Sequence, residues 1–258
     1  PGGSVDPQDA SLGRFADESL VDRVHEAPGR TLTDEDRRAV VVAALRETLE
    51  EAGVLLARAA SGATPTREDV AKLRAEPEAL TAYMAERSWS TDNMVYWAHW
   101  ITPSAEKRRY DTHFFVAQVD AHQEAEGDGY EVEDDVWLTP QEALQRHAEQ
   151  KMYLPPPTEI TLRDIGSDAW DDIKARAQGR RLGCGGAQPR TTRRHRLYAS
   201  RFLNPQTKSR PKSSPRGALR PATRCRAEQP PVLLAHVFTP AAVPSHDQPS
   251  SQVVQVLG

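Results

Sequence analysis

Residues 46–54 read Arg46-Glu47-Thr48-Leu49-Glu50-Glu51-Ala52-Gly53-Val54, and the fold turns on why three glutamates crowd the last turns of a helix. Thr33, followed three residues later by Asp36, makes a capping-box-like start with Asp in place of the usual Glu. Val42, Leu45, Leu49 and Ala52 recur at helical spacing as a buried stripe, and Gly53 is the natural stop. Glu47, Glu50 and Glu51 are then related by three and four residues and share the face opposite that stripe. Each like-charge pair at that spacing costs roughly 0.2–0.5 kcal/mol, and anions in a last turn meet the negative end of the helix dipole for about 0.3–1 kcal/mol more. A solvated charged face is the ordinary explanation for such a run. The unfavourable placement argues instead for a hard, oxygen-preferring divalent cation, Mg2+ or Mn2+.

The rest of the chain bounds that idea. Its 258 residues are 38% apolar, enough to supply a core for part of the length. Residues 181–258 hold 13 Lys/Arg against Glu228 and Asp247, a net +11 that leaves −15 for residues 1–180 within the total of −4. That tail carries half the prolines and sustains no helical or alternating pattern, so residues 179–258 are expected to be disordered. An Arg-rich arm can bind nucleic acid, but with Tyr198 and Phe202 as its few aromatics it is read as an unstructured extension. Cys184 and Cys225 form no thiolate zinc pattern, and with no signal-like start or membrane span the setting is expected to be reducing and cytoplasmic. The chain opens on "PGGSVD" without Met and is expected to lack its first strands.

Along residues 1–178 the pattern is mixed α/β. Phe15, Leu20, Val21 and Val24 suggest a short surface helix or loop insertion near 10–33. "VLLARAA" suggests a strand, and residues 66–87 a helical insertion interrupted at Pro77, within a second inserted region near 62–90. "NMVYWAHWIT" and "YDTHFFVAQV" read as two strands joined by the basic turn "PSAEKRR". A short strand at "VWLT", a helix opened by Pro140, an extended "YLPPPT" and one last helix near 158–177 complete the domain. The eight histidines show no pair at metal-ligand spacing, so His99 and His113 are read as packing or surface residues.

The stretch from Arg46 to Val54 resembles the core of the Nudix box, Gly-x5-Glu-x7-Arg-Glu-U-x-Glu-Glu-x-Gly-U with U apolar, in every fixed place except Thr48 at the first U. In an unbroken box the first Gly and Glu would fall at Leu32 and Arg38. The missing half is similar to "PGGSVDPQD", with Gly3-x5-Asp9 standing for Gly-x5-Glu, so the box is split by about thirty residues. That split resembles the coenzyme A diphosphatase-like branch of Nudix hydrolases. "WITPSAEKRRYDTHFFVA", "VWLTPQEAL" and "LPPPT" look like that branch too, and the resemblance covers about residues 1–165. It implies an α/β/α sandwich around a mixed sheet, N-terminally truncated here.

The resemblance also implies an activity: Mg2+- or Mn2+-dependent hydrolysis of a nucleoside diphosphate linked to another moiety, with coenzyme A or acyl-CoA as the leading substrate. It makes Glu50 and Glu51 metal ligands, Glu47 a further ligand or the base, and Arg46 the residue that orients the carboxylates. Gly2, Gly3 and Gly53 are implied as backbone residues of the loop, with Gly3 leaving room for phosphate. Asp9, one methylene shorter than the family's Glu, is read as loop structure. Arg108 and Arg109 are candidates for a substrate phosphate, although such a pair is more often a polar hairpin turn. Glu124, Glu126, Glu131 and Glu133 are candidates for a late acidic ligand or base. Trp97 and Trp100 could stack on a base, yet aromatics in strands are usually core. Two alternatives stay open: a Nudix-like module that binds a nucleotide without cleaving it, and an inactive fragment.

Overall fold

A four-stranded sheet forms the middle layer of the computed structural model, which describes residues 2–27, 29–89, 92–102, 110–120, 123, 137–179, 232–239 and 255–256. Its strands are β1 (Gly2–Ser4), β4 (Met94–Ile101), β5 (Asp111–Gln118) and β7 (Val232–Thr239), in the order β1-β7-β5-β4. β1 runs parallel to β7, while β5 is antiparallel to both β7 and β4, so the sheet is mixed. Two small ladders flank it: β2 (Ala57–Ala59) with β3 (Arg87–Trp89), and β6 (Trp137–Leu138) with β8 (Gln255–Val256).

The box helix is α3 (Asp34–Ala52). Thr33 caps it reciprocally with Asp36, as the capping-box reading expects. Gly53 ends it in the left-handed conformation at φ 63°, its N–H returning to Leu49 O at 3.0 Å. A side chain there would be strained. α3 packs on β1, β7 and α1 (Pro7–Leu12), and its apolar residues join Leu20, Val21, Val24, Leu55, Tyr96 and Phe115 in one core cluster. On the other side of the sheet, Trp97, Phe114, Val116 and Leu234 meet α6 (Pro140–Ala148), α7 (Pro156–Ile165) and α8 (Trp170–Gly179) in a second cluster. Alternation along β4 and β5 explains the division, since successive side chains point to opposite faces. The result is helices on both faces of a mixed sheet.

Several expectations change. The insertion holding Leu20, Val21 and Val24 is no surface feature: α1 and α2 (Glu18–Val21) fold over α3 and bury all three residues. The helical stretch broken at Pro77 is present as α4 (Arg67–Ala75), a 3-10 turn at Pro77–Ala79 and α5 (Leu80–Met84). The single last helix is two, because Gly166 at φ 63° interrupts it between α7 and α8. The segment "VLLAHVFT", placed in the unstructured tail, is instead the strand between β1 and β5. Its continuous apolar run suits a strand covered on both faces, and Leu233, Leu234 and Ala235 are all buried. No helix among the described residues is long and apolar enough to cross a membrane.

Candidate active site at the end of the acidic helix

The C-terminal half of α3 faces β1 and the start of α1, which cover the acidic face expected opposite the buried stripe. Arg46, Glu47 and Glu51 are 5%, 8% and 4% exposed. Three charged groups so deep must be paired, and Arg46 is the hub. Its Nε donates to Asp9 Oδ1 at 2.9 Å, one terminal nitrogen donates to Glu47 Oε1 at 2.9 Å and Glu50 Oε2 at 2.8 Å, and the other reaches Ser4 O at 3.0 Å and Asp9 Oδ2 at 3.2 Å. Burial works against the guanidinium charge, but Asp9, Glu47 and Glu50 outweigh it and raise its pKa.

Asp9 is fully buried. Besides accepting twice from Arg46, its Oδ2 accepts the Asp6 N–H at 2.7 Å and closes the capping box of α1. Both of its oxygens are committed to holding Arg46 and the loop. Gly3 lies on β1 directly beneath Glu47: a Cβ at that position would sit 2.2 Å from Glu47 Oε1. No residue but glycine lets the strand approach the carboxylate this closely. Gly2 N–H donates to Glu51 Oε2 at 2.8 Å, tying the third carboxylate to the same strand.

Burial pushes the Glu47 carboxyl up to about 7, with Arg46 opposing the shift and Glu50 adding to it. Glu50 is also raised, chiefly by burial. Its side chain remains 36% exposed, the open edge of the group. The structure thus brings Gly2, Gly3, Asp9, Arg46, Glu47, Glu50 and Glu51 to one place, with Gly53 ending the helix beside them. Arg108, Arg109, Glu124, Glu126, Glu131 and Glu133, like Cys184 and Cys225, lie outside the described residues. Trp97 is fully buried and Trp100 packs against the second core cluster, which leaves both as core residues.

One grouping escaped the sequence reading. Among the described residues, His99, Asp111 and His113 are the trio of ligand-type side chains that converges, with one ligand atom from each within 4.8 Å of the others. They come from β4 and β5, where His99 and His113 are directly paired. His113 is buried, as the packing reading expects, with His99 and Asp111 beside it. Spacing along one segment does not register such a pairing, because it runs between two strands.

A model of the NUDT19 Nudix domain matches residues 6–165. The chain belongs to the Nudix family. Among its relatives, a Caenorhabditis elegans protein named as nudix hydrolase 7 is 30% identical over 66% of this chain and 51% of its own length. The acyl-coenzyme A diphosphatase NUDT19 of Xenopus laevis is 26% identical over 46% of this chain and 37% of its own. The human protein of that name is 28% identical over 62% and 48%. The chain therefore spans about half or less of the length of these curated relatives. A crystal structure of a Nudix hydrolase from Alicyclobacillus acidocaldarius aligns with a TM-score of 0.46 and 24% identity, over 66% of this chain and 77% of that one. The matched residues include Asp9 and the stretch from Arg46 to Val54, and Gly2 and Gly3 lie just before them.

Proposed function

We propose that this Nudix domain hydrolyses a diphosphate linkage in a nucleoside diphosphate joined to another moiety, with coenzyme A or acyl-CoA as the leading substrate. The reading is carried by one observation: Arg46 gathers Asp9, Glu47 and Glu50 at one helix end, while Gly2 on the adjoining strand holds Glu51. The names of the Xenopus and human relatives support the choice of substrate.

The donor set suits Mg2+ or Mn2+, which take carboxylate oxygens, and the exposed edge at Glu50 gives access. Glu50 and Glu51 would hold the ion, which would neutralise charge on the phosphoryl oxygens and acidify the attacking water. The chain's own residues do the rest. Glu47, whose carboxyl burial raises to about 7 in the ion-free chain, would be a further ligand or the base that takes the water proton while the water oxygen bonds to phosphorus. The phosphorus–oxygen bond of the anhydride breaks, and two phosphate monoesters leave. Arg46 keeps Glu47 and Glu50 in place, Asp9 keeps Arg46 in place, and Gly3 leaves the space above β1 to the Glu47 carboxylate rather than to phosphate.

The test is product formation from coenzyme A, acyl-CoA, NADH, ADP-ribose and nucleoside triphosphates with Mg2+ or Mn2+, comparing the chain with its Glu51→Gln variant. Phosphate-ester release that the variant lowers at least ~10-fold, as expected when a metal site is weakened, supports the reading. An intact panel with a cooperatively melting protein would sink it and favour a nucleotide-binding module.

A further inference from the structure

His99, Asp111 and His113 have no part in the diphosphate chemistry, yet they form the more ligand-like of the two charged groups on this sheet. His99 and His113 are paired across β4 and β5, their rings stacked at 4.5 Å between centroids with 9° between planes. Asp111 lies two residues before His113 on β5 and so on the same face. His99 Nε2 shares a short hydrogen bond with Asp111 Oδ1, and His113 Nε2 is 4.0 Å from that same oxygen. Arg30 approaches the other carboxylate oxygen, Oδ2, at 3.7 Å.

His113 supplies the second and independent observation. It is 1% exposed, and its Nε2 has no hydrogen-bond partner. Its Nδ1 is 3.0 Å from the Tyr96 hydroxyl. With Nδ1–H donating to Tyr96, a bare lone pair on Nε2 faces the Asp111 carboxylate inside the core. In the other tautomer an N–H points at an oxygen too far away to accept it. Either way a buried polar atom stays unsatisfied, which carries a real cost. A ligating imidazole that donates its other N–H to an oxygen is the arrangement metal sites use to fix tautomer and ring orientation.

We propose that His99, Asp111 and His113 bind a divalent first-row transition ion such as Zn2+, at a site separate from the acidic helix. Two imidazoles and one carboxylate suit Zn2+, Co2+ or Ni2+, whereas the all-carboxylate helix end suits Mg2+ or Mn2+. Zinc–nitrogen bonds of about 2.0–2.1 Å place ligand atoms roughly 3.4 Å apart in a tetrahedron. The present atoms, within 4.8 Å, need small side-chain rotations to close on an ion. The ion would displace the proton shared by His99 and Asp111 and fill the lone pair of His113. It would also tie the β4–β5 hairpin, through Asp111 and Arg30, to the segment before α3.

The inference does not depend on the hydrolase reading, and its test does not use activity. Cys184→Ser/Cys225→Ser protein, which removes competing thiolates, is titrated with Co2+ and with Zn2+ in excess Mg2+ that saturates the acidic helix. The expected result is one bound equivalent, a visible Co2+ spectrum of low-symmetry nitrogen and oxygen ligation, and a raised melting temperature. His99→Phe and Asp111→Asn should each weaken Zn2+ binding at least ~10-fold, while Glu51→Gln leaves it intact. A folded parent chain that shows no such spectrum at saturating Co2+ would overturn the proposal without recourse to variants. Binding unchanged in folded His99→Phe and Asp111→Asn would overturn it too.

Discussion

The end of α3 and the β4–β5 hairpin carry two charged groups on the same side of one sheet, and they are stabilised in opposite ways. Gly3 on β1 is paired with Val237 on β7, Val237 with His113 on β5, and His113 with His99 on β4, a single row across four strands. Paired residues share a face, and Gly3 faces Glu47. His113 is therefore roughly 10 Å from Gly3, two strand spacings away. At the α3 end, four carboxylates are held by one buried arginine and backbone N–H groups, and the group stays open at Glu50. In the hairpin, burial and the neighbouring His99 hold His113 neutral with a pKa of about 3, while the hydrogen bond from His99 holds Asp111 low against the pull of burial. An anion-rich group kept together by an internal cation can exchange part of that pairing for a hard metal ion. In the hairpin, the unsatisfied Nε2 of buried His113 marks what that group lacks.

β7 lies between the strands that carry the two groups. A chain ending at residue 231 removes β7, leaving β1 without its partner and β5 paired on one side only. The expected outcome is loss of the cooperative thermal transition, with both groups lost together. A cooperative melt with wild-type midpoint would show that β7 is dispensable.

Asp9→Ala acts on the helix end alone. It takes from a buried arginine the carboxylate that meets it with both oxygens, for about 3–5 kcal/mol of stability. Urea unfolding measures it, and a loss below about 1 kcal/mol would mean that Glu47 and Glu50 suffice to hold Arg46. Gly3→Ala should cost roughly 1–3 kcal/mol, because its methyl group would overlap the Glu47 carboxylate and force it aside. Mg2+-dependent hydrolysis should fall further than stability does, which separate assays of melting and turnover would show.

A smaller effect sharpens the electrostatic side. The Glu47 pKa rises from the ordinary 4.5 to about 7 on folding, first because of burial. Between those values the folded chain binds more protons than the unfolded one, so this group makes stability fall as pH rises through that window. In chelator, the melting temperature of the wild type should decline over that range, and Glu47→Gln should flatten the decline. A divalent ion favours the ionised carboxylate, so added Mg2+ should offset the same decline.

How legible each region was follows from the range of its contacts. The acidic helix could be read almost entirely, since capping residues, apolar stripe and glycine stop are all local signals. Even so, the acidic face was read as opposite the core, because the covering residues come from β1 and α1, some forty positions earlier. The strand at Val232–Thr239 could not be placed, since its partners lie at the other end of the chain and a short apolar run does not name them. The histidine pair was within reach. Folding the hairpin at the middle of "PSAEKRR", at Glu106, sets residues 99 and 113 opposite each other, and Asp111 follows on the same face by alternation. Registering the two strands, rather than counting spacings along one, would have found it.

On the proposed reading, the end of α3 holds the ion on which hydrolysis depends. Mn2+ binding, followed by electron paramagnetic resonance of the free ion, tests this without a substrate. The wild type should take up Mn2+, Glu51→Gln and Glu50→Gln should each weaken uptake at least ~10-fold, and both variants should still melt cooperatively. Equal Mn2+ uptake by the wild type and both folded variants would contradict it.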